Sequence, residues 1–272
     1  MDYLEFYGLK EHPFSNVVDN RFYYNSQEHS NAFVKLKYAI DSQRGLAVVV
    51  GDIGAGKTTL ARRLLEDLDE ETYEATLLVV IHSSVSSDWL LKKLAMLLGA
   101  EDVQDDKIKI IAQIHNRLVE INESGKKAVI LIDEVQMLNS RDIMEEFRGL
   151  LNMEFSNGKL VNFIFFGLTE LDEVLALDEP LKQRVALKIN LKSFSKEHTQ
   201  QYIHHRLNIA ACENSVFTEN AISDVFKYSA GTPRLINTIC DNALLEGFLM
   251  KKKPIDKDTI KTVAMDLGLA TS

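Results

Sequence analysis

A glycine-rich segment, GDIGAGKTT at Gly51 to Thr59, directly follows the apolar run LAVVV. It fits the pattern G-x-x-x-x-G-K-[ST], and it lies where that pattern has a mechanism, between a candidate strand and a candidate helix. Glycines allow backbone amides to wrap around phosphate groups, Lys57 reaches the β and γ oxygens, and the Thr58 hydroxyl coordinates Mg²⁺. The predicted nucleotide-binding residues of this phosphate loop are Gly51, Asp52, Ile53, Gly54, Ala55, Gly56, Lys57, Thr58 and Thr59.

Two adjacent carboxylates, Asp133 and Glu134, stand at the end of the apolar segment KKAVILIDEVQ. Ligands of parallel sheets bind at the carboxyl ends of the strands, so we expect this pair to face the phosphate site. Asp133 would hold Mg²⁺ through its water shell, and Glu134 would accept a proton from the water that attacks the γ-phosphate. Such pairs also occur at helix starts, so the catalytic interpretation depends on the combination with the phosphate loop. Together they predict an ATPase that uses ATP and Mg²⁺.

One arginine breaks a local rule in the segment AGTPRLIN, where Gly231 ends one candidate helix and Pro233 begins the next. Arg234 falls in the first turn of the new helix, where a cation opposes the helix dipole. Such exceptions are expected at functional sites. One hypothesis is that Arg234 binds the γ-phosphate and is catalytic; the alternative is an ion pair with a surface carboxylate.

Length and charge restrict the class of protein. The chain has 272 residues, 46% of them apolar, and a formal net charge of -9. The acidic excess lies before residue 191, since residues 191–272 hold ten lysines and arginines against nine aspartates and glutamates. DNA binding usually rests on a basic face, so the charge disfavours DNA as a partner. No apolar run approaches the roughly 18 residues that span a bilayer, and no secretory signal pattern begins the chain, so we expect a cytoplasmic protein without a membrane span.

Short apolar runs alternate with amphipathic helix candidates through the first 190 residues. The predicted strands are LAVVV (46–50), LLVVI (77–81), VILI (129–132), NFIFF (162–166) and VALKINL (185–191). Most are too apolar for one-sided strands, which is typical of a parallel sheet covered on both faces. After Leu191 the pattern contains helices only, with candidate caps at Ser195, Thr218, Thr232 and Asp256.

These patterns predict an α/β fold of the P-loop NTPase type, with a parallel sheet core and a C-terminal all-helical lid domain. The predicted division is an N-terminal aromatic segment at residues 1–25, the ATPase core at 26–190 and the helical lid at 191–272.

The chain resembles the AAA+ ATPases of the ExeA (general secretion pathway protein A) family, relatives of the ATPase subunits of Tn7-like transposition. The motifs that carry the resemblance extend over nearly the whole chain and are YGLKEHPFS, GDIGAGKTTL, VILIDEVQML, MEEFRGLLNMEF, LKQRV, YIHHRL and SAGTPRLINTICDNALL. The resemblance implies an ATP-driven homo-oligomer in which Arg184 of LKQRV reaches a neighbour's site as an arginine finger. It also implies that Arg234 is the second sensor on the lid. An alternative for Arg184 is a charge at the end of a short helix begun by Pro180.

The resemblance also sets expectations for three other regions. Family members close the N-terminal region over adenine, and here that region carries Phe6, Tyr7, Phe14, Phe22, Tyr23, Tyr24 and Phe33, which supply either an adenine wall or packing. Relatives place a polar first sensor after the fourth strand, whereas this chain has Leu168, whose side chain donates no hydrogen bond, followed by Thr169 as a candidate substitute. Longer members continue into a membrane span and a peptidoglycan-binding domain, and this chain ends at Ser272, so we expect an ATPase module that stands alone.

Three functions are consistent with these features. The first is an oligomeric ATP-hydrolysing motor or switch that assembles an envelope apparatus, with a protein client from a secretion or pilus system. The second is a DNA-associated ATPase of the transposition target-selection type. The third is a nucleotide-dependent scaffold that hydrolyses ATP slowly, which Leu168 favours.

Overall fold

Five parallel strands form the central sheet of the computed structural model, which describes residues 3–155, 158–212 and 215–270. The strands are β1 (Leu46–Gly51), β2 (Tyr73–Val79), β3 (Lys127–Asp133), β6 (Val161–Gly167) and β7 (Leu187–Leu191). They pair in the order β2–β3–β6–β1–β7. A separate antiparallel pair, β4 (Glu154–Phe155) and β5 (Gly158–Lys159), precedes β6. The predicted parallel α/β fold is thereby confirmed.

Burial explains why these segments form strands. Every residue of β1 and β6 is buried, and so is every residue of β3 after its first. A strand with neighbours on both sides and helices on both faces needs apolar side chains in both directions. The edge strand β2 is less buried, and its first half, YEAT, is correspondingly more polar.

Twelve helices are seen in the described residues. They are α1 (Tyr3–Tyr7), α2 (Gln27–Asp41), α3 (Lys57–Asp67), α4 (Ser87–Leu97), α5 (Lys107–Glu123), α6 (Arg141–Leu150), α7 (Leu171–Leu175), α8 (Glu179–Lys182), α9 (Lys196–Ile209), α10 (Glu219–Ser229), α11 (Pro233–Leu249) and α12 (Lys257–Asp266). Gly99 and Gly125, at φ +80° and +81°, follow α4 and α5, as expected for helix ends. Over the ranges that the structure describes, none of these helices has the length and apolar content to cross a bilayer.

The chain divides into two compact units. The first, called here the α/β unit, comprises Glu28–Asp52 and Leu60–Leu191. The second, called the helical unit, comprises Met1–Gln27, Ile53–Thr59 and Lys192–Ser272. The residue boundaries expected from the sequence stay predictions.

The α/β unit has one apolar core on each face of its sheet. On one face, Phe147 of α6 meets Phe163 and Phe165 of β6 edge-on, with ring centroids 5.2 and 4.8 Å apart. Edge-to-face pairs of this kind are worth about 0.5–1.5 kcal/mol beyond the area they bury. On the other face, Leu60 and Leu64 of α3 are fully buried in the second core. The strand ends are therefore held by packing on both sides.

The helical unit confirms three of the four predicted helix caps. The side chains of Ser195, Thr218 and Asp256 each accept a hydrogen bond from the N–H three residues later. Thr232 lies at the N-cap of α11 but makes no side-chain cap hydrogen bond, so that part of the prediction is wrong. The next residue is Pro233, which has no N–H to satisfy.

Within the helical unit, a buried arginine joins the N-terminal segment to α9. Arg206 of α9 is only 6% exposed, and its guanidinium donates hydrogen bonds to the carbonyl oxygens of Pro13 and Ser15 and to the hydroxyl of Tyr202. The same group lies 4.9 Å from the ring centroid of Phe22. A buried guanidinium is stable only when it is partnered in this way, so Arg206 and the N-terminal segment depend on each other.

Candidate functional site

The phosphate loop begins at the carboxyl end of β1, where a side chain has no room. A Cβ on Gly51 would lie 2.6 Å from the carbonyl oxygen of Leu191 in the neighbouring strand β7. Gly54 has φ +79°, a conformation that residues with a Cβ adopt at a cost of roughly 1–2 kcal/mol. The loop therefore requires glycine at both positions, and the predicted pattern has a structural reason.

The loop continues directly into α3, whose first residue is Lys57. The Lys57 side chain is buried to 6% exposure, and Ala55 before it is fully buried. The first turn of a helix leaves backbone N–H groups without helical acceptors, and together with the dipole they favour an anion. A glycine cradle, a buried lysine and a helix N-terminus form a donor set that fits a phosphate group.

Arg234 lies against this loop. A Cβ built on Gly54 would be 2.8 Å from the Cβ of Arg234 and 3.0 Å from a methyl carbon of Thr232. The N–H of Arg234 points to the carbonyl oxygen of Gly54 at 3.5 Å. This contact uses an N–H of the first turn of α11, and it brings the predicted second sensor to the predicted phosphate loop.

The predicted acidic pair lies at the carboxyl end of β3. Asp133 is 1% exposed, and its Oδ1 accepts a hydrogen bond from the N–H of Glu134 at 3.0 Å. Glu134 has φ 60° and ψ 39°, a left-handed conformation that is uncommon for a residue with a side chain. Backbone strain of this kind often occurs at functional sites.

A glutamine that the sequence interpretation did not single out holds Glu134. The Gln136 side-chain Nε2 donates to Glu134 Oε2 at 2.5 Å, and its Oε1 accepts the backbone N–H of Leu168 at 3.1 Å. Only the presence of a polar residue two positions after Glu134, in IDEVQ, signalled this role in the sequence.

Leu168, which replaces the usual polar first sensor, and its candidate substitute Thr169 follow the end of β6. The backbone N–H of Leu168 is used by Gln136. Thr169 is exposed, and its hydroxyl donates to Glu170 Oε2 at 3.3 Å. The substitution of Thr169 for the usual first sensor therefore stays a prediction.

Arg184 follows α8 and is half-buried. Its Nη1 donates to the carbonyl oxygen of Arg148 at 3.3 Å and to Oδ1 of Asn152, both in the same chain. Arg148 in turn pairs with the buried carboxylate of Asp178 at 3.0 Å. The guanidinium of Arg184 is thus held on the end of α6, and its action on a neighbouring subunit stays a prediction.

The N-terminal aromatic residues pack mainly within the helical unit. Tyr7, Phe14 and Phe22 are buried there, and burial raises the pKa of the Tyr7 hydroxyl to about 12. The ring of Tyr24 lies edge-on to Phe194 with centroids 5.6 Å apart. Packing therefore accounts for most of these rings, and contact with adenine stays a prediction.

Comparison with known proteins gives both a family and a fold. Residues 40–175 match the model of a family described as AAA domain. Over 269 residues the sequence is 31% identical to General secretion pathway protein A of Aeromonas hydrophila. This alignment covers 98% of this chain and 48% of that protein. The chain thus spans about half the length of that relative.

Two solved structures are similar in fold. Drosophila ORC bound to DNA aligns with a TM-score of 0.71 and 17% identity, over 99% of this chain and 67% of that chain. The ORC2 protein of Aeropyrum pernix, in ADPNP-ADP complexes, aligns with a TM-score of 0.68 and 15% identity. This alignment covers 94% of this chain and 72% of that chain. At sequence identities this low, the similarity shows that the folds are alike.

Proposed function

Because the chain belongs to the AAA domain family, we propose that it binds ATP with Mg²⁺ at the phosphate loop and hydrolyses it. In this proposal the loop amides and Lys57 hold the β- and γ-phosphates, and the hydroxyl of Thr58 and the carboxylate of Asp133 hold the metal. The bound Mg²⁺ would neutralise part of the negative charge on the phosphate oxygens. The glycine cradle and the buried lysine support this assignment.

We assign hydrolysis to Glu134. Its carboxylate would take a proton from the attacking water as the oxygen of that water bonds to the γ-phosphorus and the bond to the ADP oxygen breaks. The observation that carries this proposal is the arrangement at the end of β3, where a nearly fully buried Asp133 precedes a Glu134 whose carboxylate is held by a second side chain. A chain that only bound nucleotide would have no need for an oriented carboxylate there.

We assign stabilisation of the transferred phosphoryl group to Arg234 and Arg184. Arg234 contacts the phosphate loop of its own chain, which supports a role as second sensor. Arg184 would act on the site of a neighbouring subunit in a homo-oligomer, and its guanidinium would then exchange Asn152 Oδ1 for a phosphate oxygen. An arginine in this role is worth roughly 10³ to 10⁵ in rate where it has been measured.

We propose that the oligomer acts as a motor or switch for a protein client in the assembly of a secretion or pilus-type apparatus. The support is the 31% identity to General secretion pathway protein A over 98% of this chain. Since the chain spans about half of that protein, its client and pathway are part of the proposal.

A second candidate is a DNA-associated ATPase. It is favoured by the fold likeness to a structure described as ORC bound to DNA, and disfavoured by the net charge of -9. Co-sedimentation with duplex DNA, with and without ATP, distinguishes the two candidates. A motor or switch for a protein client should bind DNA weakly, and this binding should vanish as the salt concentration rises. Tight, salt-resistant DNA binding in the presence of ATP would favour the DNA-associated ATPase.

Nucleotide binding is tested by titration of a fluorescent ATP analogue with Mg²⁺. We expect Lys57→Ala to lose binding, since it removes the phosphate-binding cation. The matched control is Lys92→Ala, which removes a lysine whose partner is Asp105 on the surface, and it should bind as the wild type does. Equal affinity of all three proteins would contradict the assignment of the phosphate loop.

A further inference from the structure

Two hydrogen bonds of the Gln136 side chain connect the Glu134 carboxylate to the backbone that follows β6. Its side-chain amide is used at both ends, with Nε2 donating to Glu134 Oε2 and Oε1 accepting the N–H of Leu168. Since the donor end and the acceptor end have different partners, this amide has one orientation that satisfies both. The carboxylate of Glu134 is therefore tied to a fixed point of the backbone.

The neighbouring strand makes room for this amide. A Cβ on Gly167, the last residue of β6, would lie 2.9 Å from Gln136 Oε1. Any side chain at this position would press directly on the amide oxygen, so the glycine and the glutamine belong to one arrangement. Gln136 is half-buried, which limits competition from water for its hydrogen bonds.

The position of Glu134 in the chain explains what this support does. The residue lies between the end of β3 and a single turn of 3-10 helix at Val135–Met137, and its backbone hydrogen bonds do not fix its side chain. A general base must lie within hydrogen-bond reach of the proton that it accepts. A long, unsupported carboxylate would sample several rotamers, and only some of them would meet that requirement.

We propose that Gln136 is a positioning residue for Glu134, which couples the catalytic carboxylate to the carboxyl end of β6. Leu168 contributes to this coupling through its backbone N–H, which requires no polar side chain at that position. The proposal rests on the proposed function, because it takes Glu134 as the base. Gln136 touches the base and not the substrate, so it should affect the rate of hydrolysis and leave ATP affinity unchanged.

The test is a comparison of Gln136→Leu with Gln113→Leu. Gln113 of α5 also uses both ends of its amide, accepting from the N–H of Gln104 and donating to the carbonyl oxygen of Glu101, so the two substitutions make the same chemical change. We expect Gln136→Leu to lower kcat by about ten- to hundredfold with KM and ATP affinity unchanged, because a misplaced catalytic group costs rates of that order. Gln113→Leu should keep the wild-type kcat.

Gln136→Glu keeps an oxygen for the Leu168 N–H and removes the donor to Glu134, so we expect it to lose kcat as Gln136→Leu does. If position 136 needed only a polar side chain for folding, Gln136→Glu would instead keep the wild-type kcat. Wild-type kcat in either Gln136 variant would overturn the proposal, and so would an equal loss in Gln113→Leu. Thermal unfolding of each variant distinguishes a change in kcat from a loss of folded protein.

Single-turnover rates on a Glu134→Gln background separate this proposal from the proposed function. If Glu134 is the base and Gln136 acts through it, adding Gln136→Leu to Glu134→Gln should lower the rate by less than about twofold, as expected for residues that act as a unit. A full additional loss would overturn the positioning role of Gln136 and leave the base assignment intact. Wild-type turnover in Glu134→Gln alone would instead refute the base assignment, and with it the role of Gln136.

Discussion

Gly54 and Arg234 are packed so closely that a Cβ on the glycine would lie 2.8 Å from the Cβ of the arginine. The phosphate loop and the first turn of α11 therefore share one surface, which only glycine at position 54 permits. In the proposed function this contact brings the Arg234 guanidinium to the phosphate groups, so nucleotide affinity should depend on it.

Gly54→Ala should weaken ATP binding by about tenfold or more, because the new methyl group displaces either the loop or Arg234. Gly125→Ala is the matched control, since Gly125 has φ +81° against +79° at Gly54 but no atom within 4 Å of its built Cβ. Both substitutions should lower the free energy of unfolding by roughly 1–2 kcal/mol through backbone strain. If the two variants lost ATP affinity equally, backbone strain would explain the loss. That result would contradict a role of the Gly54–Arg234 contact in nucleotide binding.

The sheet could be predicted from sequence because its inner strands are apolar on both faces. The predicted runs LAVVV and VILI fall inside β1 and β3. The edge strand was predicted at 77–81, whereas β2 extends from Tyr73 to Val79, because its first four residues, YEAT, lack the apolar run that the prediction used. The two-residue strands β4 and β5 are too short to give any periodic signal.

The candidate site could be predicted only where a residue carries its own signal. The phosphate loop and Asp133–Glu134 have fixed spacings tied to a mechanism, whereas Gln136 acts through a contact with Leu168, a residue distant in sequence. The capping prediction at Thr232 was wrong for a similar reason. The N–H of Arg234 is directed to Gly54, and no local pattern of residues indicates such a long-range partner.

Arg184→Ala should retain ATP binding and nearly abolish turnover, because the loss of an arginine finger costs roughly 10³ to 10⁵ in rate. Mixing this variant with Glu134→Gln should restore part of the activity. The restored sites would combine the intact Glu134 of one subunit with the Arg184 donated by the other. Steady-state phosphate release from the two variants, alone and mixed, is the measurement.

Two controls define that experiment. Lys182→Ala removes an exposed cation two residues earlier and should keep wild-type turnover. Asn152→Ala removes a partner of Arg184 within its own chain and should leave the arginine able to act on a neighbour. A mixture as inactive as its components, despite demonstrated co-assembly, would exclude Arg184 from acting between subunits.

Arg206→Met should lower the free energy of unfolding by about 2–4 kcal/mol, because the carbonyl oxygens of Pro13 and Ser15 lose their hydrogen-bond donor. Urea unfolding measures this loss. Arg63→Met, at an exposed position of α3, is the control and should change stability by less than about 0.5 kcal/mol. If the two variants are equally stable, the N-terminal segment is held mainly by its aromatic residues.

Asp256→Ala should cost about 1 kcal/mol at neutral pH, because Asp256 caps α12 by accepting from the N–H of Thr259 at 3.0 Å. This backbone hydrogen bond, followed by the contact with Lys252, lowers the pKa of Asp256 to about 2, against about 3.9 in an unfolded chain. Because the pKa of Asp256 is lower in the folded than in the unfolded protein, its carboxylate stabilises the folded state at pH values above the unfolded pKa. This contribution is lost as the pH falls through about 2.

The stability gap between wild type and Asp256→Ala should therefore be full at about pH 6 and narrower at about pH 3. Urea unfolding at the two pH values measures the gap. Thr218→Ala, which removes the uncharged cap of α10, is the control and should show no such narrowing. A gap that is the same at both pH values would contradict the charged cap.

The proposed ATPase depends most on one carboxylate, Glu134. We expect Glu134→Gln to bind ATP and Mg²⁺ as the wild type does, because the substitution preserves size and leaves the phosphate loop unchanged. Its rate of phosphate release at saturating ATP should fall by about 10² to 10⁴, the range that a general base contributes. That rate is the most direct measurement of the proposed function. Retained ATP affinity with turnover reduced to that extent is the predicted result, and phosphate release at the wild-type rate would contradict it.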